Sequence, residues 1–132
     1  MDKIKAWIQA SRLFSQSYIF LPLVLGQGYA VMEQKIDFDW GIFSWTVLFS
    51  FAIQIYIVFG NDYNDMETDG LNRTFTVFSG GSRVLVEGRL SPQELAIGIW
   101  VMVAMNLFVG SALTFFYKRW FALPIILLGM FL

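Results

Sequence analysis

Residues 41–60, GIFSWTVLFSFAIQIYIVFG, contain no charge and pass directly into residues 61–69, NDYNDMETD. About 20 mainly apolar residues cross a hydrocarbon core as a helix. This run is interrupted only by Ser44, Thr46, Ser50 and Gln54. If the helix continues through 61–69, Asn61, Asp65 and Asp69 recur every four residues and line one face. A helix C-terminus already carries unpaired carbonyls and about half a negative charge, so carboxylates there are misplaced unless a cation compensates them. Two readings follow: a solvated acidic cap, or a site for a hard divalent cation. The spacing and the unfavourable helix end favour the cation. Magnesium suits the donors better than calcium or zinc, because it takes oxygen ligands, uses one or two carboxylates and completes its shell with water and phosphate oxygens.

The composition sets the surroundings of this stretch. Of 132 residues, 57% are hydrophobic, 18% aromatic and only 14% charged, which is a membrane composition rather than a soluble one. The net charge of -1 is segregated into short segments, and no basic surface for nucleic acid is present. Cysteine and histidine are both absent. That excludes disulfides, thiolate catalysis and the usual zinc, haem and iron–sulfur ligation. Carboxylate, amide, hydroxyl, Arg and Tyr remain for chemistry.

Outward from the motif, the chain reads as an all-α polytopic transmembrane bundle. Met1 to Arg12 is basic and amphipathic, with Ile4, Trp7 and Ile8, and is expected at the membrane interface. The first span is expected at 13–32, a charge-free run whose Ser15, Gln16, Ser17, Pro22 and Gln27 suit a helix buried against others. The same polar residues make a poor signal-peptide core, although Gly28-Tyr29-Ala30 has the look of a cleavage site. Residues 33–40 form an interfacial turn, and 41–60 is the second span. Ser91-Pro92-Gln93-Glu94 carries helix-start chemistry: a Ser N-cap, Pro at the first helical position and Glu closing a capping box. The third span is expected at about 95–117. Asn106 within it, like Gln54, reads as interhelical glue. A fourth apolar run, 121–132, is too short to cross, so three complete spans precede an incomplete one.

Lys3, Lys5, Arg12, Arg73, Arg83 and Arg89 fall on one side of this topology, whereas Lys35, Lys118 and Arg119 fall on the other. The positive-inside rule then places the N-terminus and the acidic motif in the cytoplasm. The loop on that side has its own chemistry. Ser79-Gly80-Gly81-Ser82-Arg83 is a glycine-rich turn whose N–H groups suit an anion, with Arg83 and Arg73 at hand. A flexible surface turn is the plainer reading of Gly-Gly. Together, an acidic face and a basic glycine loop describe a site for magnesium diphosphate.

The Asn61-x-x-x-Asp65-x-x-x-Asp69 motif at the end of the second span resembles the first aspartate-rich motif of UbiA-type intramembrane prenyltransferases. The resemblance extends to Ser11-Arg12 before the first helix, to Pro22 and Gly26 within it, to Asn61-Asp62-Tyr63, and to the loop from Ser79 through Gly88. That loop looks like those of menaquinone-pathway members acting on dihydroxynaphthoate. The resemblance implies a nine-helix membrane enzyme, at home in the cell (inner) membrane, that transfers a polyprenyl group from polyprenyl diphosphate to an acceptor, often aromatic, with Mg2+ as cofactor. It implies Asn61, Asp65 and Asp69 as metal-site residues, Asp62 as a neighbouring candidate, and Asp65 and Asp69 as the catalytic carboxylates. Breaking the allylic C–O bond leaves negative charge on diphosphate, and Arg73 and Arg83 are the candidates for contacting it. The family's second aspartate-rich motif is missing from residues 1–132. The chain is therefore expected to be the N-terminal portion of one prenyltransferase domain, inactive alone. A non-catalytic small membrane protein that binds a divalent cation, or a half-enzyme completed by another chain, are the alternatives.

Overall fold

A computed structural model describes residues 2–74, 76 and 81–131, with the Phe131 side chain excepted. The expected charged loop therefore lacks Phe75 and residues 77–80 from its described part, and the Ser79-Gly80 half of the glycine turn lies outside it. Six α-helices are present: α1 (Asp2–Ala10), α2 (Ser17–Gln34), α3 (Trp40–Asn64), α4 (Met66–Leu71), α5 (Pro92–Phe115) and α6 (Ala122–Phe131). A 3-10 turn, Leu13–Gln16, joins α1 to α2. No strand occurs among the described residues.

The N-terminal segment is helical as expected, but the first apolar run does not begin as an α-helix. Arg12 adopts left-handed backbone angles (φ 43°, ψ 61°), and the chain tightens into the 3-10 turn before α2 starts at Ser17. Local side-chain bonds favour this corner: Ser15 Oγ donates to the Arg12 carbonyl at 2.8 Å and Gln16 Nε2 to the Ser11 carbonyl at 2.8 Å. Pro22 sits inside α2, and Gln27 Nε2 donates to Thr46 Oγ1 of α3 at 2.7 Å.

α3 begins where Asp39 caps it, accepting from the N–H groups of Gly41 at 2.8 Å and Ile42 at 3.0 Å. It overruns the apolar stretch into the acidic motif and stops at Asn64. The expected unbroken helix is bent at Asp65 (φ −91°, ψ 6°). Helical pairing survives the bend, from Asp65 N to Asn61 O and from Asp69 N to Asp65 O, both 2.8 Å. The physical gain is electrostatic. Restarting the helix puts Glu67 and Asp69 in the first turn of α4 instead of at the negative end of α3.

α5 carries the capping box read from the sequence: Ser91 Oγ accepts from Glu94 N at 3.2 Å while Glu94 Oε2 accepts from Ser91 N at 2.8 Å. α3 packs against α5, α5 against α6, and α2 against α3. Gly98 permits the closest approach, since a Cβ there would lie 2.9 Å from the Trp7 ring and 3.1 Å from the Phe59 ring. Gln54 joins elements as expected, its Nε2 donating to Ser15 Oγ at 3.3 Å. Asn106 does not. Fully buried, it donates to the Met102 carbonyl of its own helix at 2.8 Å, the geometry a short amide reaches without help from a neighbour.

Two helices, α3 and α5, are long and apolar enough to cross a membrane, each with mean hydropathy 2.0. Only 33% and 28% of these stretches is buried within the protein, the reverse of a soluble core helix. α2 is interrupted by Gln27, Glu33 and Gln34 and is less apolar. The best-packed core lies at one end of the bundle, where Ala6 and Ala10 of α1, Val58 and Phe59 of α3, Leu95 of α5, and Val84 and Leu90 of the 81–90 loop meet. That core holds the loop beside the acidic motif.

Candidate functional site

Near the bend, a helix advances about 100° per residue, so Asp62, Met66 and Asp69 fall on one arc while Asn61 and Asp65 lie to its side. The structure uses this difference. Asp62, Met66 and Asp69 line a shallow cleft whose far wall is Arg83 and the run Val84 to Val86. Asn61 and Asp65 are exposed, as is Arg73. The expected site residues thus divide into two groups, with Asp69 at their junction.

Asp62 is 4% exposed. Its Oδ1 accepts from Arg12 Nη2 and, at 3.2 Å, from Ser82 N, while its Oδ2 accepts from Ser82 Oγ. The glycine turn therefore does present an N–H to an anion, but that anion is the protein's own carboxylate. Gly81 (φ 70°) and Arg83 (φ 61°) are both left-handed around Ser82, which is the alternation that turns backbone N–H groups inward. Gly81 is required twice over. A Cβ there would collide with Asp69 Oδ2 and come within 3.2 Å of Asp62 Oδ1.

Arg83 faces the same cleft, and its Nη1 donates to the Asp69 carbonyl at 2.9 Å and the Asn72 carbonyl at 3.5 Å. It so covers the C-terminal carbonyls of the short α4, where a cation is favoured. Gln9 Nε2 donates to the Ser82 carbonyl at 2.8 Å, and Arg89 Nη1 to Gln9 Oε1. Arg12, Gln9 and Met66 are the participants that sequence reading did not assign to the site, and Ser82 entered it only as part of the glycine turn, with no role for its hydroxyl. The i, i+4, i+7 relation of Asp62, Met66 and Asp69 was the available signal for Met66. For Arg12 the hint was its place as the last basic residue before the first apolar run.

Among the described residues, ion pairs join Lys3 to Glu94, Arg12 to Asp62 and Arg89 to Glu87, and none involves Asp65, Glu67 or Asp69. Nor do three or more acidic residues converge into a ready-made metal cage among those residues.

No curated protein and no solved structure matches the chain. A family model does match, over residues 19–132, from the start of α2 through the acidic motif and the loop to α6; it is that of the UbiA prenyltransferase family. The chain belongs to the UbiA prenyltransferase family, whose members are integral membrane proteins that act on polyprenyl diphosphates.

Proposed function

We propose that this chain contributes the first aspartate-rich motif of a magnesium-dependent enzyme that passes a polyprenyl group to an aromatic acceptor, in the manner of menaquinone-pathway members. The observation that carries the reading is the contrast within the motif. Asp62 has a counter-charge in Arg12, whereas Asp65 and Asp69 have no ion-pair partner among the described residues and sit at the end of an apolar helix. Asn61, Asp65 and Asp69 are the residues that would hold magnesium, which supplies charge neutralisation on the leaving diphosphate. The loop that resembles those of menaquinone-pathway members runs from Ser79 to Gly88, and its described part, from Gly81, lies beside this motif; the resemblance of that loop is what supports an acceptor of the dihydroxynaphthoate kind.

Arg73 is exposed near the end of α4 and is suited to contact diphosphate oxygens. Arg83 orders α4 through the Asp69 and Asn72 carbonyls and so sets the direction of the motif's last carboxylate. The prenyl tail lies along apolar helix surface, which is why a reaction that creates charge is carried out at a membrane. We assign α2, α3 and α5 as three complete spans and α6 to a fourth. The N-terminus and acidic motif belong on the cytoplasmic side of the cell membrane by the excess of Lys and Arg there.

The test is Asp65→Asn and Asp69→Asn in the full-length membrane protein, assayed by prenyl transfer across a magnesium titration. Loss of a carboxylate that acts on the leaving group lowers turnover by roughly two to three orders of magnitude. Near-wild-type turnover of both variants at ordinary magnesium refutes the assignment.

A further inference from the structure

Asp62 differs from the rest of its motif in burial, in partners and in the segments it joins. We infer that Asp62 is a positioning residue, the buried counter-ion of Arg12 that fastens the 81–90 loop over the end of α3, and is not one of the carboxylates that holds a cation. The inference deepens the proposed function and rests on it for its kinetic readouts alone.

A carboxylate offers about four acceptor positions. Three of those on Asp62 are filled, by Arg12 Nη2, Ser82 N and Ser82 Oγ. Its burial makes a compensating charge obligatory, and Arg12 supplies it across 50 positions of sequence. A divalent ion at the same oxygens would have to expel the guanidinium or lie against it, placing two cations on one carboxylate. Asp65, exposed and without an ion-pair partner among the described residues, meets no such conflict.

The attachment has a direction of action. Arg12 stands in a left-handed corner between α1 and the 3-10 turn, so its pairing with Asp62 ties that corner to α3. Ser82, held by the same carboxylate, receives Gln9 Nε2 on its carbonyl at 2.8 Å. Val84 and Leu90 anchor the loop in the core, but they leave the Gly81–Arg83 turn to be placed by polar contacts. Arg83, next along the chain, reaches the Asp69 carbonyl at 2.9 Å. Asp62 therefore acts on Asp69 through the loop.

The experiment uses the full-length protein in lipid nanodiscs with Asp62→Asn, Arg12→Gln, the double variant and Asp69→Asn. Amide hydrogen exchange is followed at 82–90 with and without magnesium, alongside the magnesium midpoint and the KM for prenyl diphosphate. Asp62→Asn and Arg12→Gln are each expected to speed exchange at 82–90 by about tenfold or more, independently of magnesium. The double variant exchanges no faster than Arg12→Gln, because the charge left unpaired has also gone. KM rises by about tenfold with kcat within about threefold, and the magnesium midpoint moves well short of its displacement in Asp69→Asn. Unchanged exchange in Asp62→Asn, or a magnesium midpoint displaced as far as in Asp69→Asn, overturns the inference. Should Asp69→Asn leave the midpoint unmoved, the metal reading of the motif fails, while exchange at 82–90 still decides the role of Asp62.

Discussion

Replacing Gly81 and Gly88 separately by Ala isolates the steric demand of the acidic site. Both glycines are left-handed, with φ 70° and 63°, so each substitution carries the same backbone penalty, about 1–2 kcal/mol for an L-residue in that region. Their surroundings differ completely. The Cβ at Gly88 meets nothing within 4 Å, whereas at Gly81 it collides with Asp69 Oδ2 and stands 3.2 Å from Asp62 Oδ1. Asp62 is locked by Arg12 and Ser82, whereas Asp69 Oδ2 ends a side chain that can turn aside, so the cost falls on the Asp62 side of the turn and on displacing the Asp69 carboxylate from the cleft. Overpacking of a held site costs about 1–3 kcal/mol. Gly88→Ala is thus expected to destabilise by about 1–2 kcal/mol and Gly81→Ala by about 2–5 kcal/mol. Reversible unfolding in mixed micelles, followed by far-UV circular dichroism, measures both. Equal losses, within about 0.5 kcal/mol, would refute the placement of Asp69 against Gly81.

The remaining expectations test other joints of the structure. Ser91→Ala removes the oxygen that accepts from Glu94 N and lowers stability by about 1 kcal/mol, with faster amide exchange confined to the first turn of α5. Gly98→Leu drives a side chain into the Trp7 ring and costs about 1–3 kcal/mol; in a Trp7→Ala background most of that loss disappears, and strictly additive losses would disprove the α1–α5 contact. Cysteine, absent from the natural chain, is expected at position 87 to react with an impermeant maleimide from the cytoplasmic face and at position 37 from the opposite face; the reverse pattern rejects the orientation. Chelating magnesium is expected to abolish prenyl transfer by the full-length protein yet leave its helical circular dichroism unchanged, because α2, α3, α5 and α6 pack directly on one another.

Residue chemistry and periodicity carried the helical architecture. Uncharged runs near 20 residues can be placed in lipid only as helices, since every backbone polar group must be satisfied within the segment. The Ser91–Glu94 capping box could be read in advance because its partners lie three residues apart. The acidic motif was visible for the same reason, as a local repeat. What local pattern could not reveal was how the repeat is divided. A four-residue spacing drifts by about 40° per step around a helix, so whether Asp69 joins Asn61 and Asp65 or turns with Asp62 and Met66 toward the loop depends on what packs there.

Asp62 and Asp65 are both aspartates in one nine-residue motif, and nothing in their spacing says that one is buried and paired while the other is exposed. That was decided by Arg12, 50 positions earlier, and by Ser82, 20 positions later. Both are brought to Asp62 by the packing of Ala6, Ala10, Val84 and Leu90 around Val58 and Phe59. The bend at Asp65 and the intrahelical bond of Asn106 have the same origin in local choices that depend on the available neighbours. The amino-acid sequence alone determined a helical chain with apolar runs of membrane length, its helix-start signals and an acidic motif at the end of one such run, because each is written within a few turns of one segment. The tertiary structure decided which of those carboxylates is buried against a counter-charge and which have no ion-pair partner among the described residues, because charge compensation depends on distance in space.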